Sequence, residues 1–335
     1  MKNLLEALLA RRSLNRPDAS ELMDKMISGS ATPEQIAAVL ILLRSRGESV
    51  DEVLGFTDCL RKKAIRVPLP ASHRVMDVCG TGGDGSGTFN VSTTVAFVVA
   101  AAGVPVAKHG NRSVSSRSGS SDVLERLGIA LETTPEGAAR AILEKGLGFL
   151  FAPSFHPGLA RLAPIRKSLG VYTVFNALGP LLNPVETDSQ LIGVYRPELL
   201  KLMAEVLRER GMREAMIVHG QAGPGVGLDE ISISGPTQVA HLEKGAIRFY
   251  TVTPEDFGLI PASITAGLGG NAEDNAKILR NILRGEKGTP RDLVLINAAA
   301  ALVVAGSAAD FREGVSKAAI AIDSGRAHAL LGETA

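Results

Sequence analysis

Residues 108–122 hold three cations, two glycines and a crowd of hydroxyl and amide side chains without one apolar run. Lys108, His109, Gly110, Asn111, Arg112, Ser113, Val114, Ser115, Ser116 and Ser120 all lie here. Such a stretch cannot build core, and it reads as a loop that holds an anion. Residues 105–106 ahead of it look like the end of a buried strand, and 122–127 behind it look like a helix. The loop therefore sits at a strand-to-helix junction, where α/β sheets bind ligands. Backbone N–H groups freed by glycine and serine, together with a helix N-terminus, bind phosphate through unpaired donors and the helix dipole. Lys108, Arg112 and Arg117 supply the full charges.

Three further groups could carry chemistry. The loop Gly80-Thr81-Gly82-Gly83-Asp84-Gly85-Ser86-Gly87-Thr88 lets backbone approach a ligand closely, and Asn90, Ser92, Thr93 and Thr94 crowd donors at the start of the next helix. Alone it is either a phosphate binder or a tight turn. It matches neither the dinucleotide fingerprint nor a P-loop, because no Gly-Lys-Ser/Thr follows. Two such loops on successive strands open on one sheet edge, which favours the binder. Asp229-Glu230 is either a solvated turn or, with a polyphosphate ligand, a source of hard oxygen donors for Mg²⁺. Arg166 either caps a helix or offers its planar fork to a carboxylate. The six histidines show no metal-ligand spacing and no serine sits in a Gly-x-Ser-x-Gly elbow, which argues against zinc and serine-hydrolase chemistry.

The elements that must position these groups follow from pattern. Residues 1–67 carry only helical pattern. Thr32-Pro33-Glu34-Gln35 and Ser49-Val50-Asp51-Glu52 match the capping box, Gly29 and Gly47 stop the preceding helices, and Ile36, Val39, Leu40 and Leu43 recur at helical spacing. A small all-helical domain at 1–70 is predicted. Past Pro68 and Pro70 it gives way to a large α/β domain at 71–335, with a central, mostly parallel sheet flanked by helices. Strands are predicted at 74–79, 104–107, 148–152, 190–194 and 214–218, with helices at 90–102, 134–146 and 197–210 between them. Strands at 231–233, 237–242 and 246–252 read as antiparallel. Residues 155–187 interrupt the alternation with helical pattern, and about 170–187 are expected to complete the helical domain.

The 335 residues balance 36 Lys and Arg against 35 Asp and Glu, a net charge of +1, so no bulk charge recruits nucleic acid or a membrane surface. Two cysteines, Cys59 and Cys79, give no disulfide framework and suit a reducing cytosol. The N-terminus lacks a signal-peptide pattern, and the apolar stretch at 91–102 is too short to span a bilayer, so a cytoplasmic protein is expected.

Five motifs, taken together, resemble one family in order and spacing: Gly80-Thr81-Gly82-Gly83-Asp84, Asn90-Val91-Ser92-Thr93, Lys108-His109-Gly110-Asn111-Arg112 through Ser120, Phe175-Asn176-Ala177-Leu178-Gly179-Pro180-Leu181-Leu182-Asn183-Pro184, and Gly227-Leu228-Asp229-Glu230. That family is the anthranilate phosphoribosyltransferases, and the likeness runs over almost the whole chain. It implies a nucleoside-phosphorylase-type fold, a homodimer formed through the helical domains, and transfer of phosphoribosyl from phosphoribosyl pyrophosphate to anthranilate in tryptophan biosynthesis. Carried over by position, Gly80, Gly83, Asp84, Thr88, Asn90, Val91, Ser92, Thr93, 108–116 and Ser120 would hold phosphoribosyl pyrophosphate. Ser92, Asp229 and Glu230 would hold two Mg²⁺ ions, and Gly80, Asn111 and Arg166 would face anthranilate. No general base is assigned. One departure is a loop at 221–226 that looks long. A pyrimidine nucleoside phosphorylase and a non-catalytic nucleic-acid-binding relative remain as alternatives.

Overall fold

The computed structural model of the protein describes residues 1–112, 118–223 and 225–332. Helices α1 (Lys2–Leu9), α2 (Arg16–Ser28), α3 (Pro33–Arg46) and α4 (Val50–Lys63) form an N-terminal bundle. Both expected capping boxes form. The Gln35 amide donates to Thr32 Oγ1 at 3.3 Å, the Thr32 amide donates to Gln35 Oε1 at 3.1 Å, and Ser49 and Glu52 repeat the exchange. The buried Glu52 carboxylate also accepts from the Leu14 amide at 2.9 Å and from the Arg46 guanidinium at 2.5 Å. One acid therefore ties α4 to the end of α3 and to the turn between α1 and α2. Gly29 ends α2 at φ +95, a conformation that costs glycine nothing.

After a linker the chain alternates: β1 (Met76–Gly80), α5 (Val91–Ala101), β2 (Val106–Gly110), α6 (Ser120–Arg126), α7 (Pro135–Lys145) and β3 (Leu147–Phe151). Next come α8 (Ala152–Phe155), a 3-10 turn at Pro157–Leu162, α9 (Ala163–Leu169) and α10 (Val174–Leu178). This piece turns back onto the bundle, where Leu162, Val174, Phe175 and Leu178 share one core with Leu40, Leu43, Phe56 and Leu60. The chain then continues through β4 (Ser189–Gly193), α11 (Glu198–Glu209), β5 (Glu214–Gly223), β6 (Val226–Leu228), β7 (Thr237–Glu243) and β8 (Ala246–Val252). It closes with α12 (Ala272–Leu283), α13 (Thr289–Val304), α14 (Phe311–Asp323) and α15 (Arg326–Ala329).

The strands form one sheet in the order β3-β2-β1-β4-β5-β7-β8, with β6 paired to β5 alone. Strands β3, β2, β1, β4 and β5 are parallel, and β7 and β8 are antiparallel. Alternation along the strands gives the sheet two buried faces. Met76, Val78, Leu191, Met216 and Val218 share a core with α5, α13 and α14, while Cys79, Ile192, Ala215 and Ile217 share one with α11 and the bundle. The strand order reverses between β1 and β4, which is where open α/β sheets leave a crevice beyond the strand ends.

Two sequence expectations change here. Residues 231–233 are not a strand, because Asn297 takes over the backbone of Ile231: its Oδ1 accepts the Ile231 amide at 2.8 Å and its Nδ2 donates to the Ile231 carbonyl at 3.0 Å. A buried amide side chain thus replaces the ladder. In the long stretch at 221–226, residues 221–223 extend β5 and Val226 opens β6, which pairs antiparallel with β5.

Candidate active site

Asp229 lies over the crevice between β1 and β4. A Cβ on Gly193, the last residue of β4, would overlap the Asp229 backbone carbonyl, and one on Gly80, the last of β1, would strike its carboxylate. Glycine at these two strand ends is what lets the acidic turn sit against the sheet edge. The Gly82 amide donates to Asp229 Oδ2 at 2.7 Å, and the Asp229 amide donates to Asp84 Oδ2 at 3.2 Å. Asp84 Oδ1 accepts the Ser86 amide at 3.0 Å, and the Ser86 and Thr88 hydroxyls lie 3.1 Å apart. The glycine loop and the acidic pair, 145 residues apart in the chain, are thus one structure.

Three carboxylates meet there. Burial, then the charges of Asp84 and Glu230, hold the Asp229 carboxyl well above the usual carboxylate range. Burial pushes Glu230 up to about 8, with Lys108 and the Ser92 amide pulling it down and Asp84 adding to the rise. Crowded, desolvated like charges in a crevice are costly, and a cation relieves them. The donor set is hard oxygen, with Ser92 beside it, which suits Mg²⁺. Among the described residues no three His, Cys, Asp or Glu side chains are grouped to hold an ion alone. The rest of a coordination shell has to come from ligand oxygens and water.

Lys108, His109 and Gly110 belong to β2 rather than to a loop. The Lys108 side chain is buried, and its ammonium donates to the Val78 carbonyl at 2.7 Å and to Ser92 Oγ at 3.2 Å. The expectation that this segment builds no core fails at Lys108, because an alternating strand sends its long side chain inward, where backbone and hydroxyl oxygens satisfy the charge. Asn90 stands at the start of α5 but makes no side-chain cap. Its carboxamide pairs with Ser118, two contacts of 3.4 Å, and accepts from Asn275 at 2.9 Å. The positive end of α5, with Val91, Ser92 and Thr93 in its first turn, is therefore not neutralised by its own cap residue. Asn111 is exposed, and its carbonyl accepts from Ser120 Oγ and the Ser121 amide, both at 3.3 Å. The Arg112 charge is matched by Asp122 at 3.2 Å and by Glu125. Ser113, Val114, Ser115, Ser116 and Arg117 lie outside the described residues.

His109 and His156 meet edge to face, ring centres 5.4 Å apart. Burial, then the His156 charge, lowers His109 to about 3, and burial also lowers His156. His156 Nε2 bonds the Leu182 carbonyl at 2.7 Å, while His156 Nδ1 and His109 Nε2 are buried with no hydrogen-bond partner among the described residues. Arg166, on α9, is half-buried, with its guanidinium 5.2 Å over the Phe175 ring, and burial alone lowers its value. Among the described residues no hydrogen bond or ion pair joins it to Gly80 or Asn111.

Comparison with known proteins decides the family. The helical bundle domain of a glycosyl transferase family matches residues 2–64, and the a/b domain of the same family matches residues 72–328. The chain is 51% identical over 332 residues to the anthranilate phosphoribosyltransferase of Moorella thermoacetica, covering 99% of this chain and 96% of that one. The chain belongs to the anthranilate phosphoribosyltransferase family. Among solved structures, the anthranilate phosphoribosyltransferase of Thermus thermophilus superposes with a TM-score of 0.90 at 41% identity, covering 98% of this chain and 97% of that one. The Saccharomyces cerevisiae anthranilate phosphoribosyltransferase in complex with PRPP and Mg superposes with a TM-score of 0.88 at 29% identity, over 98% and 95%. No helix of the described residues is long and apolar enough to cross a membrane.

Within this anthranilate phosphoribosyltransferase fold, sequence reading assigned no role to His156, Asn183 or Gly193. Asn183 Nδ2 donates to Asp77 Oδ2 at 2.9 Å and to the Ala107 carbonyl at 2.7 Å, so it fastens β1 to β2 beneath the site. Its segment, 175–184, stood out as one of the five family motifs, and nothing in its composition says which strands it will clamp. His156 had no signal beyond a histidine before a proline.

Proposed function

We infer that the protein transfers phosphoribosyl from phosphoribosyl pyrophosphate to the amine of anthranilate, releasing pyrophosphate, and does so at the crevice between β1 and β4. The single observation that supports this most is the closure of the glycine loop onto Asp229, which puts that loop and the crowded carboxylates of Asp84, Asp229 and Glu230 at one strand-end crevice. Displacement at the ribose carbon breaks its bond to the leaving oxygen and forms one to the arylamine nitrogen. Negative charge grows on pyrophosphate and positive charge on the sugar. The glycine-loop amides and the open end of α5 would receive the pyrophosphate and 5-phosphate oxygens. Asp229, Glu230 and Ser92 would hold two Mg²⁺ ions, which supply charge neutralisation to the leaving group when bound. The motifs at 80–93 and 108–116, with Ser120, would hold the sugar donor, and Gly80, Asn111 and Arg166 would face anthranilate, with the Arg166 fork on its carboxylate.

An arylamine is already neutral at pH 7 and needs positioning more than deprotonation. His109, held near 3, is too weak a base to take its proton. A homodimer joined through the helical bundles belongs to the same reading and rests on the family likeness alone. Incubating the protein with both substrates and Mg²⁺ and following pyrophosphate release tests the reading; turnover that ignores either substrate would end it.

A further inference from the structure

One aromatic ring grips the glycine loop from outside, and none of the roles above uses it. Tyr172 stands in the elbow between α9, which carries Arg166, and α10, which carries Phe175 under the Arg166 guanidinium. A Cβ built on Gly83 would lie 2.6 Å from Tyr172 Cε1, so the ring touches the loop backbone at its middle. Gly83 has φ +83, and Gly82, Gly85 and Gly87 are also left-handed. A loop of this kind has many conformations to lose unless something outside it selects one.

Behind Tyr172 stands Tyr195, ring centres 5.0 Å apart. The Tyr195 amide donates to Thr81 Oγ1 at 3.0 Å, so the start of the same loop is fastened to the same aromatic pair. Arg196 lies 5.4 Å over the Tyr195 ring and 3.7 Å from Glu48, which anchors the pair to the helical bundle. The chain of contacts runs from the bundle, through two rings, to Gly83. Its last link departs from the elbow that also sets where Arg166 stands.

We propose that Tyr172 is a positioning residue for the transfer: its ring holds the glycine loop in the shape that receives phosphoribosyl pyrophosphate and couples that loop to the segment carrying Arg166. The proposal rests on reading the loop as the sugar-donor site. Preorganisation of this kind lowers the ordering cost of binding without touching the reacting atoms. It acts on affinity more than on the chemical step.

The test is calorimetric titration of phosphoribosyl pyrophosphate with Mg²⁺ into the wild type, Tyr172→Phe, Tyr172→Ala and the double variant Asp229→Asn/Glu230→Gln, with saturation curves for both substrates. Tyr172→Ala is expected to weaken sugar-donor binding and raise its KM roughly tenfold, with kcat at saturation within about twofold. Tyr172→Phe keeps the ring and is expected to restore wild-type binding to within about twofold. Should Tyr172→Ala melt early, Tyr172→Leu keeps apolar volume behind the loop without the flat ring and gives the same comparison. Wild-type affinity in the ring-less variants, or a loss confined to kcat, overturns the proposal, and so does a Phe variant as impaired as the Ala one. If the acidic double variant also binds at wild-type strength, the sugar-donor reading of the loop is what fails. If that variant weakens and Tyr172→Ala does not, only the role of Tyr172 falls.

Discussion

Replacing Arg166 with alanine separates the two substrates. The guanidinium is half-buried over Phe175, burial alone depresses its value, and no acid among the described residues answers it. A desolvated cation without a protein partner is costly, and a ligand carboxylate that completes it gains a charge-assisted, two-pronged contact. Such a contact is worth about 1.5–3 kcal/mol, and at 1.36 kcal/mol per tenfold its loss raises the anthranilate KM about 10- to 160-fold. The KM for phosphoribosyl pyrophosphate should move less than about threefold, because the contact is to the acceptor only. Stability should barely change: the lost ring contact, roughly 0.5–2 kcal/mol, is offset by removal of an unpaired charge. Arg166→Lys keeps charge without the fork and should fall between. The assay is a pair of saturation curves beside a thermal melt. Equal rises in both KM values, or a melt lowered by many degrees, would refute the reasoning and make Arg166 a structural residue.

Three other outcomes follow from the same geometry. The double variant Asp229→Asn/Glu230→Gln removes crowded like charges, so without metal it should melt higher than the wild type, while its rate at low Mg²⁺ falls by orders of magnitude and recovers partly as Mg²⁺ is raised; an unchanged rate and Mg²⁺ dependence would return the pair to a solvated turn. Gly193→Ala sets a methyl group into the Asp229 backbone carbonyl, and denaturant unfolding should show a loss of about 1–3 kcal/mol or more together with lost activity; a stable, active variant would contradict the packing at β4. Asp323, held down to about 2 chiefly by hydrogen bonds from Arg291, contributes stability that is present above its unfolded value of about 3.9 and is lost as pH falls toward 2, so Asp323→Asn should flatten that acid limb and cost about 0.5–1.5 kcal/mol at neutral pH, less than the full shift implies because solvent screens the half-exposed carboxylate.

What the sequence could tell depended on whether a signal was local. Capping boxes at Thr32 and Ser49 are written within four residues each, and both form as read. The loop after β1 was legible because a glycine and hydroxyl cluster between apolar runs leaves no other use for the chain, whereas most of the stretch expected to form a loop after β2, residues 113–117, lies outside the described residues. Lys108 was misread as a loop cation because its burial depends on Val78 and Ser92, which lie on other elements. The stretch 231–233 has strand composition, yet one asparagine 66 residues away claims its backbone. Tyr172 and His156 carried no signal of their place in the site: their meaning is their contact with Gly83 and His109, and contacts between distant segments are made only by the fold.

The central claim is that one crevice, between β1 and β4, joins anthranilate to the ribose of phosphoribosyl pyrophosphate with Mg²⁺. Its most direct measurement is the yield of pyrophosphate and N-phosphoribosylanthranilate from purified protein given both substrates, run beside phosphorolysis of a pyrimidine nucleoside with inorganic phosphate. Equal amounts of the two products, formed only with Mg²⁺ and with no phosphorolysis, are predicted. Phosphorolysis without any consumption of anthranilate would contradict the account.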